Sequence, residues 1–385
     1  HYPLRRQRQM CIRDSFLIVQ FSRPLALYGE VLDKMNSKWE ISQDTGVVAA
    51  LSISEDANTI TYDFDTGNWI EIYKDTFADL DISSGDAIKF YFKGSGKKNH
   101  LNLQIYDSDG DVFDRPIKEV TDISEWTEMI VPFSGLSHWE GTGNGSLDTK
   151  KISKLVFSVT PSEGGAGSVA IDKIESYKLN TENYFLAGSF NFGTPPNEAG
   201  GNEGPMASSS DYDPVVSYDR SNAYEGIYAL SLSYNFPTGK WCGYWIFLSS
   251  AGDAGFRDLS SYTTVQFWVK SDAAGKKMKI ELVDSAGIKS VQLASYLTTG
   301  TETSYKEVSI PLSDFTGLVS SQVKQMNFVF DQSPYSGTVY IDYIRFTSTG
   351  TYTGGALAQI DDMDLPYTIS GWANYGRDED KGITT

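Results

Sequence analysis

The sequence predicts an all-β chain built from tandem antiparallel β-sandwiches, and three observations carry that expectation. Aromatic residues make up 13% of the 385 residues and glycines number 35, while amphipathic helical periodicity is hard to find, a turn-rich composition that favours strands. Short stretches rich in Val, Ile, Tyr and Phe alternate apolar with polar residues, the mark of a half-buried strand. One such phrase occurs twice, as VAIDKIES at 169–176 and VYIDYIRF at 339–346, with Asp172 and Asp342 at the same step. A repeated strand phrase points to a repeated domain.

Taken in chain order, the first residues stand apart. HYPLRRQRQMCIRDS (1–15) is basic and non-periodic against an acidic, β-patterned remainder, and reads as non-native read-through outside the fold. FLIVQF, which follows, is too short to span a membrane and reads as the end of a preceding repeat over 16–30. A first module is expected over 31–180 and a second over 181–348. The segment 77–110 of the first matches 256–287 of the second, WTEMIVPFSGL (126–136) matches YKEVSIPLSDF (305–315), and TGNWIEIY (66–73) matches TGKWCGYW (238–245). Each copy has about 150 residues, an ordinary size for one core. Residues 349–358 are rich in Thr and Gly and read as a linker. QIDDMD (359–364) has the shape of VLDKMN (31–36), so 359–385 is expected to open a truncated third module.

In the second copy strands are expected near YALSLSYNF, WCGYWIFL, TVQFWVK, MKIELVD, SVQLAS, KEVSIPL, QMNFVFD and VYIDYIRF. Turn signals separate them, which suits an antiparallel jelly roll rather than βαβ units.

Charge and reactive groups narrow the function. A net charge of −18 disfavours nucleic acid and acidic membrane surfaces as partners, and no transmembrane segment is present in the sequence. Two cysteines, Cys11 and Cys242, cannot make a disulfide framework. The histidines are His1, His100 and His138, and no Ser-His-Asp or Cys-His set can be assembled from them. Carboxylates are plentiful, but none forms a repeated pair of the kind glycoside hydrolysis needs. No catalytic activity is expected within this fragment. DSDGD (107–111) spaces acids as a calcium loop would, yet the second copy reads DSAGI; what persists is the Asp and Gly of a hairpin turn. Asp172 and Asp342 are the stronger metal candidates. A structural calcium ion could take a last-strand carboxylate and oxygens from a module's opening segment, where Asp33, Asp361 and Asp362 lie. The alternative is a surface aspartate on an outward face.

The aromatics carry the binding reading. Alternation in TGKWCGYWIFL puts Tyr244, Ile246 and Leu248 on one face and Trp241, Trp245 and Phe247 on the other. In TGNWIEIYK, Ile70 and Ile72 oppose Trp69, Glu71 and Tyr73. With the apolar sets inward, the aromatic sets look outward from one sheet. The neighbouring strands of that sheet would add Asn102, Gln104, Arg115 and Ser158 in the first copy. In the second they would add Lys279, Glu281, Gln292, Gln325 and Asn327. Flat rings beside amide and charged groups suit a sugar: rings stack on its C–H face and polar groups take its hydroxyls. The competing reading is that these Trp residues complete the core or pack on a neighbouring copy. Trp268 and its counterpart Tyr91 fall on the other sheet, where packing rather than ligand is expected.

The phrases DLSSYTTVQFWVKSDAAGKKMKIELVDSAG, YKEVSIPLSDF and QMNFVFDQSPYSGTVYIDYIRF resemble the galactose-binding-like jelly rolls of carbohydrate-binding modules, in particular the family-eleven type and its relatives. The resemblance covers nearly all of the second copy and, less sharply, the first. It implies non-catalytic binding of a neutral plant or algal β-glycan on a concave sheet by an extracellular protein, next to a glycoside hydrolase, with structural calcium. The polar face residues differ between copies: Gln104 stands against Glu281, and Ser158 against Val329. Two other readings stand beside it, a structural or adhesive spacer array at the cell surface and a hydrolase with its own site.

Overall fold

The alternating stretches fold as strands, because one face of each can bury its apolar residues against a second sheet. The computed structural model describes residues 39–53, 57–75, 79–179, 184–298 and 300–348, and the backbone of 355–361. The first module opens with β1 (Glu40–Gln43), β2 (Val47–Ile53), β3 (Asn58–Phe64), β4 (Ile70–Lys74) and β5 (Ala87–Gly96). It continues with β6 (Asn99–Asp107), β7 (Asp111–Ile117), β8 (Thr127–Pro132), β9 (Ser137–Gly141), β10 (Ile152–Pro161) and β11 (Gly165–Lys178). One sheet runs β1-β4-β10-β6-β7-β9 and the facing sheet β2-β3-β11-β5-β8, all antiparallel.

The second module repeats the plan. Its strands are β12 (Tyr184–Gly188), β13 (Glu203–Ala207), β14 (Val215–Asp219), β15 (Ala229–Asn235), β16 (Cys242–Phe247) and β17 (Thr264–Ser271). Then come β18 (Lys279–Asp284), β19 (Gly287–Gln292), β20 (Lys306–Pro311), β21 (Val323–Phe330) and β22 (Ser336–Thr347). One sheet runs β13-β16-β21-β18-β19; the other runs β14-β15-β22-β17-β20, with β12 also on β22. The chain changes sheet at most steps, which is the β-sandwich the sequence predicts. Each core holds the same aromatic contact, edge to face: Phe90 with Phe157 at 4.8 Å, and Phe267 with Phe328 at 5.3 Å. Among the described residues no helix is long and apolar enough to cross a membrane.

The repeated aspartate phrase marks a bulge. Lys173 and Tyr343 have φ of 51° and 56°, and the pairing slips beside each, between Asp172 and Glu175 on β11 and between Gln266 and Trp268 opposite β22. The extra residue puts Ile171 and Ile174, like Ile341 and Ile344, on the core side although they are three apart.

The other recurring acids hold turns. Asp107 accepts from the N–H groups of Asp109 and Asp111 at 3.1 Å and of Asp148 at 3.2 Å. Asp284 does the same for Ala286 at 2.7 Å and Val319 at 2.6 Å. The hairpin reading of DSDGD fits these bonds.

One expectation meets a different backbone. Residues 355–358, read as linker, lie in β23 (Gly355–Asp361), which pairs with β11 of the first module. The segments 1–38 and 362–385, with Asp33, Asp362 and the proposed flanking repeats, lie outside the described residues.

Candidate functional site

In the second module, β16, β21, β18 and β19 present their outward residues in register. Trp245 stands opposite Asn327, Asn327 opposite Glu281, and Glu281 opposite Ser290. The neighbouring row is Gly243, Val329, Lys279 and Gln292. Cys242, Tyr244 and Ile246 point the other way into the core.

The polar members of this face form a chain of contacts. Gln325 Nε2 donates to Asn327 Oδ1 at 2.6 Å, and Asn327 Nδ2 donates to Glu281 Oε2 at 3.0 Å. Lys279 Nζ lies 3.0 Å from Glu281 Oε1 and 3.2 Å from Asp331 Oδ2. Burial pulls the Lys279 ammonium down, but its bonds to Glu281 and Asp331 outweigh that and hold it above the usual lysine range. It is a fixed cation. These groups line a groove of about 470 Å³, walled by Trp241, Met206, Val283, Ile288 and Lys324 as well. Trp241, 37% exposed, is the aromatic that faces the groove.

Trp245 plays a different part. It lies on the same outward side, but its Nε1 donates to Pro205 O at 3.1 Å and its ring leans on Phe247 at 4.7 Å. Gln292 sits at the rim, accepting from Gln332 Nε2 at 3.1 Å. Met206, Ile288, Lys324 and Asp331 were not singled out from sequence. Asp331 could have been, since it continues the alternation Gln325, Asn327, Val329.

In the first module the matching face carries Glu71 and Tyr73 on β4, Val156 and Ser158 on β10, and Asn102 and Gln104 on β6, again in register. Asn102 Nδ2 donates to Ser158 Oγ at 3.2 Å. Tyr73 donates to Glu40 Oε2 at 3.0 Å, and that bond raises its pKa. Lys154, absent from the sequence reading, reaches over two rings, 4.2 Å from the centroid of Tyr73 and 4.9 Å from that of Tyr106. Its ammonium also lies 3.6 Å from Glu71 Oε1. Trp69 is half-buried just before β4.

Arg115 is a correction. It is not on this outward face: it stands opposite Leu103, whose side chain is in the core, and it is fully buried at the junction between the modules. The cause is one extra residue in the β6–β7 hairpin. Tyr106 pairs with Val112, whereas its counterpart Val283 pairs with Ile288, a step sooner. A one-residue slip exchanges the two faces of a strand. Pro116, opposite Asn102, takes the place that Gln292 has opposite Lys279.

Asp342 is also a correction to the surface-aspartate reading. It is fully buried beneath the 220–226 loop, and its Oδ2 accepts from the N–H groups of Tyr224 at 2.7 Å and Glu225 at 3.2 Å. Burial pushes its carboxyl up to about 7, against those hydrogen bonds. Calcium would need roughly six to eight oxygen ligands. The partners of Asp342 Oδ2 are N–H donors, and among the described residues no three His, Cys, Asp or Glu side chains gather as a metal site. Asp342 Oδ1 is buried without a hydrogen-bond partner, and Asp33, the oxygen donor expected beside it, lies outside the described residues. Asp172, half-buried opposite Tyr91, sits at the equivalent bulge. Over Asp342, Tyr224 stacks on Trp268 at 3.8 Å, so Trp268 is a packing residue.

Residues 198–348 match the family model of carbohydrate binding domain 30, and residues 25–179 match that of the family 11 carbohydrate binding domain. The chain is a tandem of carbohydrate-binding modules. Both matched families are non-catalytic binding domains for polysaccharide. Among solved structures, the chain is similar to the family 30 carbohydrate-binding module of the cellulosomal cellulase Cel9D-Cel44B of Clostridium thermocellum. Identity there is 20%, over 39% of this chain and 92% of that one, with a TM-score of 0.33. It is also similar to the family 11 module of Clostridium thermocellum in complex with a β-1,3-1,4-mixed-linked tetrasaccharide, at 17% identity over 43% of this chain and 96% of that one, TM-score 0.32. The N-terminal CBM22-1–CBM22-2 tandem of Paenibacillus barcinonensis Xyn10C is 13% identical over 81% of this chain and 93% of that one, TM-score 0.30. No curated protein matches the chain.

Proposed function

We propose that this tandem binds a neutral β-linked plant or algal polysaccharide on its outward aromatic faces, as a non-catalytic part of an extracellular glycoside hydrolase. The observation that carries the reading is the second module's groove, in which Trp241 stands beside the Lys279–Glu281–Asn327–Gln325 chain. The groove offers one ring face, fixed donors and fixed acceptors. Lys279 is balanced by Glu281 and Asp331, so the site suits hydroxyls better than a uronate or an amino sugar. Such a shallow site binds weakly, with Kd on the order of micromolar to millimolar. In affinity gels loaded with neutral β-glucans, xylans and mannans, at least one polysaccharide should retard the wild-type chain. Trp241→Ala should remove that retardation while leaving the melting temperature nearly unchanged, and no reducing sugar should be released. If no polysaccharide retards the wild type, the reading fails.

One observation favours a spacer role for the first module. Lys154 already occupies the ring faces of Tyr73 and Tyr106 that a sugar would need. The second module therefore supplies the larger share of the affinity.

A further inference from the structure

The junction between the modules holds a charged side chain that neither outward face uses. Arg115 leaves β7 of the first module and reaches the opening loop of the second, where its Nη2 donates to Thr194 O at 3.1 Å and also to Pro196 O. Its guanidinium Cζ lies over Phe192, 3.8 Å from the ring centroid. Burial pulls its pKa down to about 10, with the charges of Glu198 and Glu203 acting against that fall, so it is a cation at neutral pH.

The surroundings are those of a core, not of a hinge. Phe192, Ile227 and Tyr228 of the second module are buried in the hydrophobic core of the first. Lys118 N donates to Phe192 O at 3.0 Å, and Tyr228 donates to Lys118 O at 2.7 Å. At the rim, Arg220 pairs with Asp122 at 2.7 Å and donates to Glu119 O. On the far side Ser134 Oγ donates to Glu198 O at 2.8 Å, and a Cβ on Gly200 would meet Ser134 O at 2.0 Å. Domains joined by small polar contacts move freely. Here separation would expose three large apolar side chains and strip a buried cation of its carbonyl acceptors.

We propose that Arg115 pins the two modules into one rigid unit and so fixes how their outward faces are oriented relative to each other. It is a positioning residue. The corresponding place in the second module, opposite Ile280 as Arg115 is opposite Leu103, holds Val291. The pin belongs to this junction and is not a property of every copy. The inference needs no ligand and stands apart from the polysaccharide reading.

Spin labels at Lys97 and Lys277, both exposed and one on each module, test it in the full chain with Cys11→Ser, the buried Cys242 remaining. Pulsed electron resonance should give one narrow distance distribution. Arg115→Met keeps the length of the side chain but loses both carbonyl bonds, and should at least double the width of that distribution. Arg115→Lys should fall between. A broad distribution in the unsubstituted chain overturns the proposal, as does an unchanged width in a folded Arg115→Met. Should Arg115→Met fail to fold, Arg115→Lys decides, since it keeps the charge but cannot span both carbonyls: broadening supports the pin, and an unchanged width overturns it.

Discussion

At the same step of the same strand, the first module places Tyr73 and the second places Trp245. Beside them, on the next strand, the first has Lys154 facing Tyr106, and the second has Gln325 facing Val283. The backbone is one design and the chemistry on it is two. In the first module a flexible cation covers the rings and is tied to Glu71. In the second an amide bonds back to Asn327, its neighbour along the strand, and leaves the groove below Trp241 open. Repetition of a fold therefore does not repeat a site: the side chains on the middle strand and on both its neighbours differ between the two faces.

Variants that change the contrast rank by size. Glu281→Ala removes the acceptor of both Asn327 and Lys279, and should weaken binding by about tenfold, close to 1.4 kcal/mol; its counterpart Gln104→Ala should change binding far less. Equal losses would break the contrast. Lys154→Met takes the ammonium off Tyr73 and Tyr106. Placed in the Trp241→Ala background, it should restore a fraction of the polysaccharide retardation, a gain of a few-fold.

Stability should separate the modules as well. Glu203, on the inward side of β13, is buried and accepts from Tyr218 at 2.9 Å. Burial pushes its carboxyl up to about 7, against the Tyr218 bond, and the nearby Glu198 charge adds to the rise. The folded state thus keeps a proton that the unfolded chain gives up near the ordinary glutamate value. Its contribution is fully present below that value and is lost as pH rises toward 7. Glu203→Gln should flatten this part of the pH dependence, raising stability at pH 8 over wild type by on the order of 1–3 kcal/mol. Thermal melts from pH 5 to pH 8 check it, and a variant with the wild-type slope would contradict it. In the first module the equivalent inward place belongs to Trp39, one step before Glu40 opposite Tyr73.

The smallest effect tests what the modules share. Lys173→Gly relieves the left-handed backbone at the first bulge at some cost in chain entropy, so it should shift stability by less than about 1 kcal/mol. Tyr343→Gly relieves the same backbone but also removes a half-buried ring beside Arg345, so it should destabilise more; an equal shift in thermal melts would contradict that.

The sequence made the strands legible because burial on one face writes a period of two, and the two copies confirmed each other's register. It placed Trp241, Lys279, Glu281, Gln325 and Asn327 on one face for the same reason. Arg115 was misplaced because the β6–β7 hairpin carries one more residue than its counterpart, and parity counted across a turn does not survive that. Asp342 was misread because a distant loop, 220–226, covers it; local alternation reports which side a residue faces, not what lies over it. Lys154 was missed since its role depends on Tyr73 and Tyr106 on two neighbouring strands. Arg115's contacts to Thr194 and Pro196 lie in the other module, beyond any local pattern.

The central claim is that the second module's groove holds the dominant polysaccharide site. Calorimetric titration of the full chain with a linear β-glucan oligosaccharide tests it most directly, comparing Trp241→Ala with Tyr73→Ala. Loss of a stacking ring at a binding hot spot is worth about 1.4–3 kcal/mol, or at least tenfold in Kd. Trp241→Ala should show that loss, and Tyr73→Ala should change Kd by less than about threefold. The reverse order, with Tyr73→Ala abolishing binding and Trp241→Ala leaving it intact, would contradict the account.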